Sequence, residues 1–162
     1  MIRTSYAIAL GSNRRHHLHG GPAHVLGAAV AALAQVGNVV VVSPTIHTPA
    51  LGPAGRSFAN AVVLLETKLL PPALLQHIKQ IERAFGRRPG RRWGPRVLDL
   101  DIILSSEGAW SSPGLTVPHP EFRRRRFVLA PLSRVAPGWR DPLTGRTVRH
   151  LLHLVDRRRP RA

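Results

Sequence analysis

The sequence predicts an α+β sandwich, a largely antiparallel sheet with two helices packed on one face. Three observations carry that expectation. Short apolar runs rich in β-branched residues recur along the chain, two helix-period segments are interleaved with them, and glycine and proline concentrate in the connections.

The elements follow in order. SYAIALG, residues 5–11, reads as a buried strand closed by the loop GSNRRHHLHGGP. Pro22 suits the first turn of a helix running to about Gln35, with Gly37 as its stop signal. NVVVVSPTIHT, 38–48, is β-branched and reads as a strand bent or interrupted at Pro44. After the loop TPALGPAGRS, FANAVVLLET (58–67) is a third strand. The clearest helix is 71–85, where Leu74, Leu75, Ile78, Ile81 and Phe85 share one face between a proline pair and Gly86. A basic loop, GRRPGRR (86–92), precedes the strand VLDLDIIL (97–104). LTVPHP (115–120) reads as an extended segment, RFVLAPL (126–132) as a last core strand, and about 154–162 as a frayed basic tail. The order β-α-β-β-α-β-β is that of a ferredoxin-like sandwich in one domain spanning 1–162.

Composition narrows the function. With 162 residues and 43% hydrophobic content, the chain has enough apolar material for one real core. It has no cysteine, which rules out disulfides and thiolate metal sites and fits a cytoplasmic protein. The longest apolar region is broken by Gly27, Gln35, Gly37 and Asn38, so a helix followed by a strand explains it better than a membrane span. A formal net charge of +16 points towards polyanions, although a composition favouring Arg over Lys is itself a sufficient source of charge.

Two of the eight acidic residues, Asp99 and Asp101, lie inside the apolar strand 97–104. Strand alternation puts both carboxylates on one face and Leu98, Leu100 and Ile102 on the other. At about 7 Å between Cα atoms, their repulsion costs roughly 2 kcal/mol at an effective dielectric of about 20. A cation between them, or arginines beside them, would relieve it. Mg²⁺ suits this arrangement, because it takes one or two carboxylates and completes its shell with waters and phosphate oxygens. Arg87, Arg88, Arg91, Arg92 and Arg96 are adjacent and carry the bidentate donors that phosphates need. Pairing of both aspartates with Arg92 and Arg96 alone is the structural alternative.

Phe58 and Phe127 each begin a segment read as core, and Asn60 shares a face with Phe58. Taken alone the two rings read as plain core; together with Asn60 they could stack on a flat heterocycle while the amide reads its edge. His16, His17, His19 and His24 match no zinc spacing and read as a surface cluster, whereas the PHP segment holds His119 just past a strand end.

ALGSN, TPALGP, FANAV, IERAFGR, RRWGPRVLDLDIIL, LTVPHP and RFVLAPL occur in this order over nearly the whole chain, and together they resemble the 6-hydroxymethyl-7,8-dihydropterin pyrophosphokinases of folate synthesis. The resemblance implies ATP-dependent transfer of a diphosphate to the pterin hydroxymethyl oxygen, with release of AMP. It implies that Asp99 and Asp101 bind two Mg²⁺ ions, and that Arg87 and Arg96 assist catalysis at the phosphates. Glu82, Arg92, Thr116, His119 and Arg125 would be further ATP contacts. Thr48, Pro49, Leu51, Phe58, Asn60 and Phe127 would form the pterin pocket. It further implies a monomer with small-molecule substrates, without a specific nucleic acid or a membrane. Lys79, Phe58 and Gly114 depart from residues that many relatives carry at those positions.

Two other classes compete. A nucleotidyltransferase would place its carboxylate pair shortly after Gly11-Ser12, which here lies far upstream. An RNA-binding module would need aromatics exposed on a sheet face in the pattern that marks such domains, and no strand carries it.

Overall fold

A computed structural model of the protein describes residues 3–13, 20–48, 58–86 and 97–158. Its elements are β1 (Thr4–Ser12), α1 (Pro22–Leu33), β2 (Asn38–Val42), β3 (Ile46–Thr48), β4 (Phe58–Thr67), α2 (Pro71–Ala84), β5 (Asp99–Ser105), β6 (Trp110–Ser112), β7 (Leu115–Val117), α3 (Arg126–Val135) and α4 (Val148–Arg157), with a 3-10 turn at Phe122–Arg124. The main sheet runs β2-β4-β1-β5, and every pairing is antiparallel. β3 pairs with β4 as well, so 38–48 is one strand interrupted before Pro44, as the sequence predicts. Ser43 stitches the interruption: its N–H donates to the Val62 carbonyl at 2.9 Å, and its hydroxyl oxygen accepts from the Val62 N–H at 2.9 Å.

Alternation along β1 divides the core in two. Tyr6, Ile8 and Leu10 pack with Val25, Leu26 and Leu33 of α1 and with Leu74 and Ile78 of α2. Ala7 and Ala9 face the other way and pack with Val62, Leu64 and Ile103, under Val128, Leu129 and Leu132 of α3 and Leu151 of α4. The α+β architecture is therefore as expected, but the sheet is covered on both faces. Small side chains on the second face let α3 approach the strands closely.

That cover comes from two segments whose sequence reading is corrected. RFVLAPL is not a strand but most of α3: its buried Val128, Leu129 and Leu132 recur at helical spacing, and Pro131 lies inside the helix. An internal proline ordinarily opposes a helix, which is why the residues read as extended. Residues 154–157 are likewise the last turn of α4, not tail. Thr147 caps that helix by accepting from the His150 N–H at 3.1 Å, and Val148 and Leu151 anchor it in the core.

Two carboxylates hold this frame. β5 is an edge strand, and its Leu100 N–H donates to Glu82 Oε2 of α2 at 2.9 Å, with Glu82 buried. A charge-assisted bond of this kind satisfies an edge donor that would otherwise lie buried without a partner. Asp141, between α3 and α4, is fully buried. It accepts from Arg123 Nε at 2.5 Å and Nη2 at 2.7 Å, from the Thr144 hydroxyl at 2.8 Å and from the Leu143 N–H at 3.0 Å. The Arg123 hydrogen bonds, above all, lower its pKa from 3.8 to about 2.

Two outcomes follow. Glu82→Leu leaves the Leu100 N–H unsatisfied, so chemical denaturation should show a loss of about 1–3 kcal/mol, with faster amide exchange at Leu100. Asp141 has a depressed folded-state pKa, so it binds fewer protons folded than unfolded and its stabilisation is present above the ordinary carboxyl range. Asp141→Asn should cost about 3 kcal/mol at pH 7, because it strips a partly buried arginine of its counter-charge. The gap between the two proteins should narrow as pH falls below 3.8 towards 2, and a gap independent of pH would contradict the assignment.

Candidate active site

The antiparallel register collects the predicted residues at one end of the sheet. Gly11 near the end of β1 stands opposite Asn60 of β4 on one side and Asp99 of β5 on the other. Ile46 lies opposite Asn60 in turn, and Thr48 opposite Phe58. Directly opposed residues share a face, so Thr48, Phe58, Asn60, Asp99 and Asp101 all belong to the face that α3 covers further along. Asn60 and Asp99 are separated by two strand spacings, about 10 Å.

Gly11 is the floor between them. A Cβ built there would lie 3.1 Å from Asn60 Oδ1, closer than side chains ordinarily pack, so only glycine leaves the amide where it is. Asn60 is buried, and its Nδ2 has no hydrogen-bond partner among the described residues. An unpaired buried amide donor is costly and is retained where a ligand can satisfy it. Phe58, two residues away, is 44% exposed, and Phe127 at the start of α3 is 38% exposed. Neither ring is plain core.

On the β5 side, Asp99 and Asp101 are both partly exposed, as alternation requires. His119 Nε2 lies 3.9 Å from Asp101 Oδ1. The imidazole is held at both ends of its residue: the His119 N–H donates to the Ile103 carbonyl at 3.0 Å, and Nδ1 accepts from the Glu121 N–H at 3.1 Å. Accepting at Nδ1 assigns the proton of the neutral ring to Nε2, the atom that faces Asp101.

The four arginines at 123–126 separate by partner. Arg123 is bound to Asp141, Arg124 to Glu121, and Arg126 Nε to Asp156 at 2.7 Å. Arg125 has no acidic partner among the described residues; its guanidinium carbon lies 5.8 Å from the Phe127 ring centroid. The run thus holds one cation available to an anion and three engaged within the fold.

Other predicted positions stand apart. Glu82 is buried against the β5 backbone, and Thr116 is exposed in the β6–β7 hairpin, with no contact described between it and the aspartates. Arg87, Arg92, Arg96, Pro49 and Leu51 lie outside the described residues. Two positions escaped the sequence reading. One is Gly11, whose place between Asn60 and Asp99 emerges only from register. The other is Asn13, whose Oδ1 is buried without a hydrogen-bond partner among the described residues.

The donor set suits a hard, oxygen-seeking cation. Among the described residues there is no group of three or more His, Cys, Asp or Glu able to enclose a metal. Two carboxylates on one strand face instead fit Mg²⁺ that is completed by water and substrate oxygens. No helix among the described residues is long and apolar enough to cross a membrane.

Comparison with known proteins places the chain in a family. Residues 7–137 match the family described as 7,8-dihydro-6-hydroxymethylpterin-pyrophosphokinase. A 2-amino-4-hydroxy-6-hydroxymethyldihydropteridine pyrophosphokinase of Pseudomonas aeruginosa is 41% identical over 155 residues, covering 94% of this chain and 91% of that protein. The protein of that name from Synechocystis is 41% identical over 133 residues, covering 81% of this chain and 68% of its own length. Among solved structures, the Plasmodium falciparum HPPK-DHPS wild type superposes with a TM-score of 0.73 at 13% identity, over 94% of this chain and 45% of that one. An HPPK-DHPS in complex with substrates gives 0.75 at 11% identity, over 95% and 45%. At such identities the likeness shows the shared fold, and this chain spans less than half the length of those structures. With a family match over most of its length and relatives at 41% identity, the chain belongs to the 7,8-dihydro-6-hydroxymethylpterin-pyrophosphokinase family of transferases.

Proposed function

We propose that this chain transfers a diphosphate from ATP to the hydroxymethyl oxygen of 6-hydroxymethyl-7,8-dihydropterin, releasing AMP. The observation that carries the reading is the buried Asn60 amide, whose Nδ2 has no hydrogen-bond partner among the described residues, in one row with Gly11 and Asp99. A heterocycle edge rich in donors and acceptors satisfies that amide, and the exposed faces of Phe58 and Phe127 supply stacking surface beside it. Thr48 belongs to the same end of the sheet, and Pro49 and Leu51 follow it in sequence.

The reaction joins the pterin hydroxymethyl oxygen to the β-phosphorus, breaks that phosphorus from the α–β bridging oxygen and releases the hydroxyl proton. Asp99 and Asp101 would hold Mg²⁺, two ions in this reading, which neutralise phosphate charge and acidify the attacking hydroxyl. His119 Nε2, 3.9 Å from Asp101 Oδ1, would donate to a phosphate oxygen held beside that carboxylate. Arg125 offers a permanently charged guanidinium, and Arg87, Arg92 and Arg96 add others from the loop before β5. Glu82 serves ATP indirectly by fixing the backbone between the two aspartates. Positioning and charge neutralisation account for such a transfer, so a strong general base is unnecessary.

The test is AMP release from ATP and Mg²⁺ with and without the pterin. Pterin-dependent AMP is expected; ATP bound without pterin-dependent AMP would contradict the reading. Asp99→Ala and Asp101→Ala should each lower turnover by at least about 100-fold with the melting transition intact. Near-normal rates in either would remove the metal assignment. Phe127→Ala should weaken pterin binding far more than ATP binding, and equal losses would make that ring part of the core alone.

A further inference from the structure

The arginine run 123–126 is only partly used by the proposed chemistry, and its ion pairs differ in kind. Arg124–Glu121 and Arg126–Asp156 are exposed surface pairs. Arg123–Asp141 joins a guanidinium to a fully buried carboxylate through two fixed hydrogen bonds, and the same guanidinium lies 4.9 Å from the centroid of the buried Phe122 ring. Asp141 is itself held by the turn that follows it, through Leu143 and Thr144.

Two residues beyond Arg123 stands Arg125, the junction between the 3-10 turn and α3. Its N–H donates to the Phe122 carbonyl, and its own carbonyl accepts from the N–H groups of Val128 and Leu129. The orientation of Arg125, and of Phe127 after it, therefore depends on the placement of the turn that carries Arg123. Four consecutive guanidiniums also repel one another. Tying Arg123 and Arg126 to carboxylates relieves that repulsion on both flanks of Arg125.

We infer that Asp141 is a positioning residue of the nucleotide site, acting through Arg123 to aim Arg125 at the phosphates. A buried ion pair is a poor source of net stability compared with an apolar contact of the same shape, whereas its bidentate geometry fixes orientation. Lysine at 123 would keep the charge but not the planar, two-bonded fork. The inference rests on the phosphate-handling role of Arg125 in the function proposed above.

A double-mutant cycle between Asp141→Asn and Arg125→Ala tests it, read both as kcat/KM for ATP and as the Kd of Mg·ATP without pterin. Asp141→Asn should lower kcat/KM by about 10- to 100-fold while the protein remains folded at the assay temperature. In the Arg125→Ala background the same change should cost less than about twofold, because the group it aims is gone. Arg123→Lys, a milder change, should reproduce the pattern if Asp141→Asn folds poorly. Equal losses in both backgrounds, or losses that follow only the folded fraction, overturn the inference. A wild-type protein that binds Mg·ATP but makes no pterin-dependent AMP refutes the proposed reaction, and the binding cycle then decides the positioning role. A wild type that does not bind Mg·ATP refutes both.

Discussion

The structure turns on the double pairing of β1. One strand holds β4 and β5 in antiparallel register on its two edges, and at its end a single glycine stands opposite Asn60 and Asp99 together. A slip of one residue in either pairing would reverse the faces of that partner strand and send either the amide or the carboxylates into the opposite core. Tyr6, Ile8 and Leu10 on one face and Ala7 and Ala9 on the other oppose any such slip, because each must enter its own apolar cluster. The hydrophobic alternation that makes the fold is also what spaces the polar groups of the site.

This arrangement accounts for a site that concentrates costs the core would not bear. The Asn60 donor is buried without a partner among the described residues, two carboxylates share a strand face, and two phenylalanines are substantially exposed. Asn60, Asp99, Asp101 and Phe58 lie on strands at this end of the sheet, and Phe127 stands in the first turn of α3. Carboxylates elsewhere are used to hold things still: Glu82 fixes the β5 edge from below, and Asp141 fixes the 3-10 turn from behind. Four of the chain's eight acidic residues are thus engaged either in positioning or in the site.

Much of this was legible in the sequence. Valine and leucine runs marked the strands, the 71–85 face marked α2, and the D-x-D strand fell on its predicted face with Leu98, Leu100 and Ile102 in the core. The second helical layer was not legible, because Pro131 and the arginine runs at 123–126 and 157–159 disguised helical spacing in the residues beside them. The special place of Gly11 was hidden for a different reason: glycine has no side chain to signal a role, and only register brings Asn60 and Asp99 to it. Partner choice likewise separated Arg125 from its neighbours, since four identical side chains carry no mark of which is paired.

The central claim is that both substrates meet at this sheet end. Amide chemical-shift mapping with Mg²⁺, a non-hydrolysable ATP analogue and 6-hydroxymethyl-7,8-dihydropterin tests it most directly. Shifts should centre on Ser12, Asn60, Asp99, Asp101, His119 and Phe127. At the opposite end of the sheet lies a cavity of about 520 Å³ lined by residues that include Arg3, Asn38, Glu66 and Lys68. Shifts centred there, with the Gly11 row unmoved, would contradict the account.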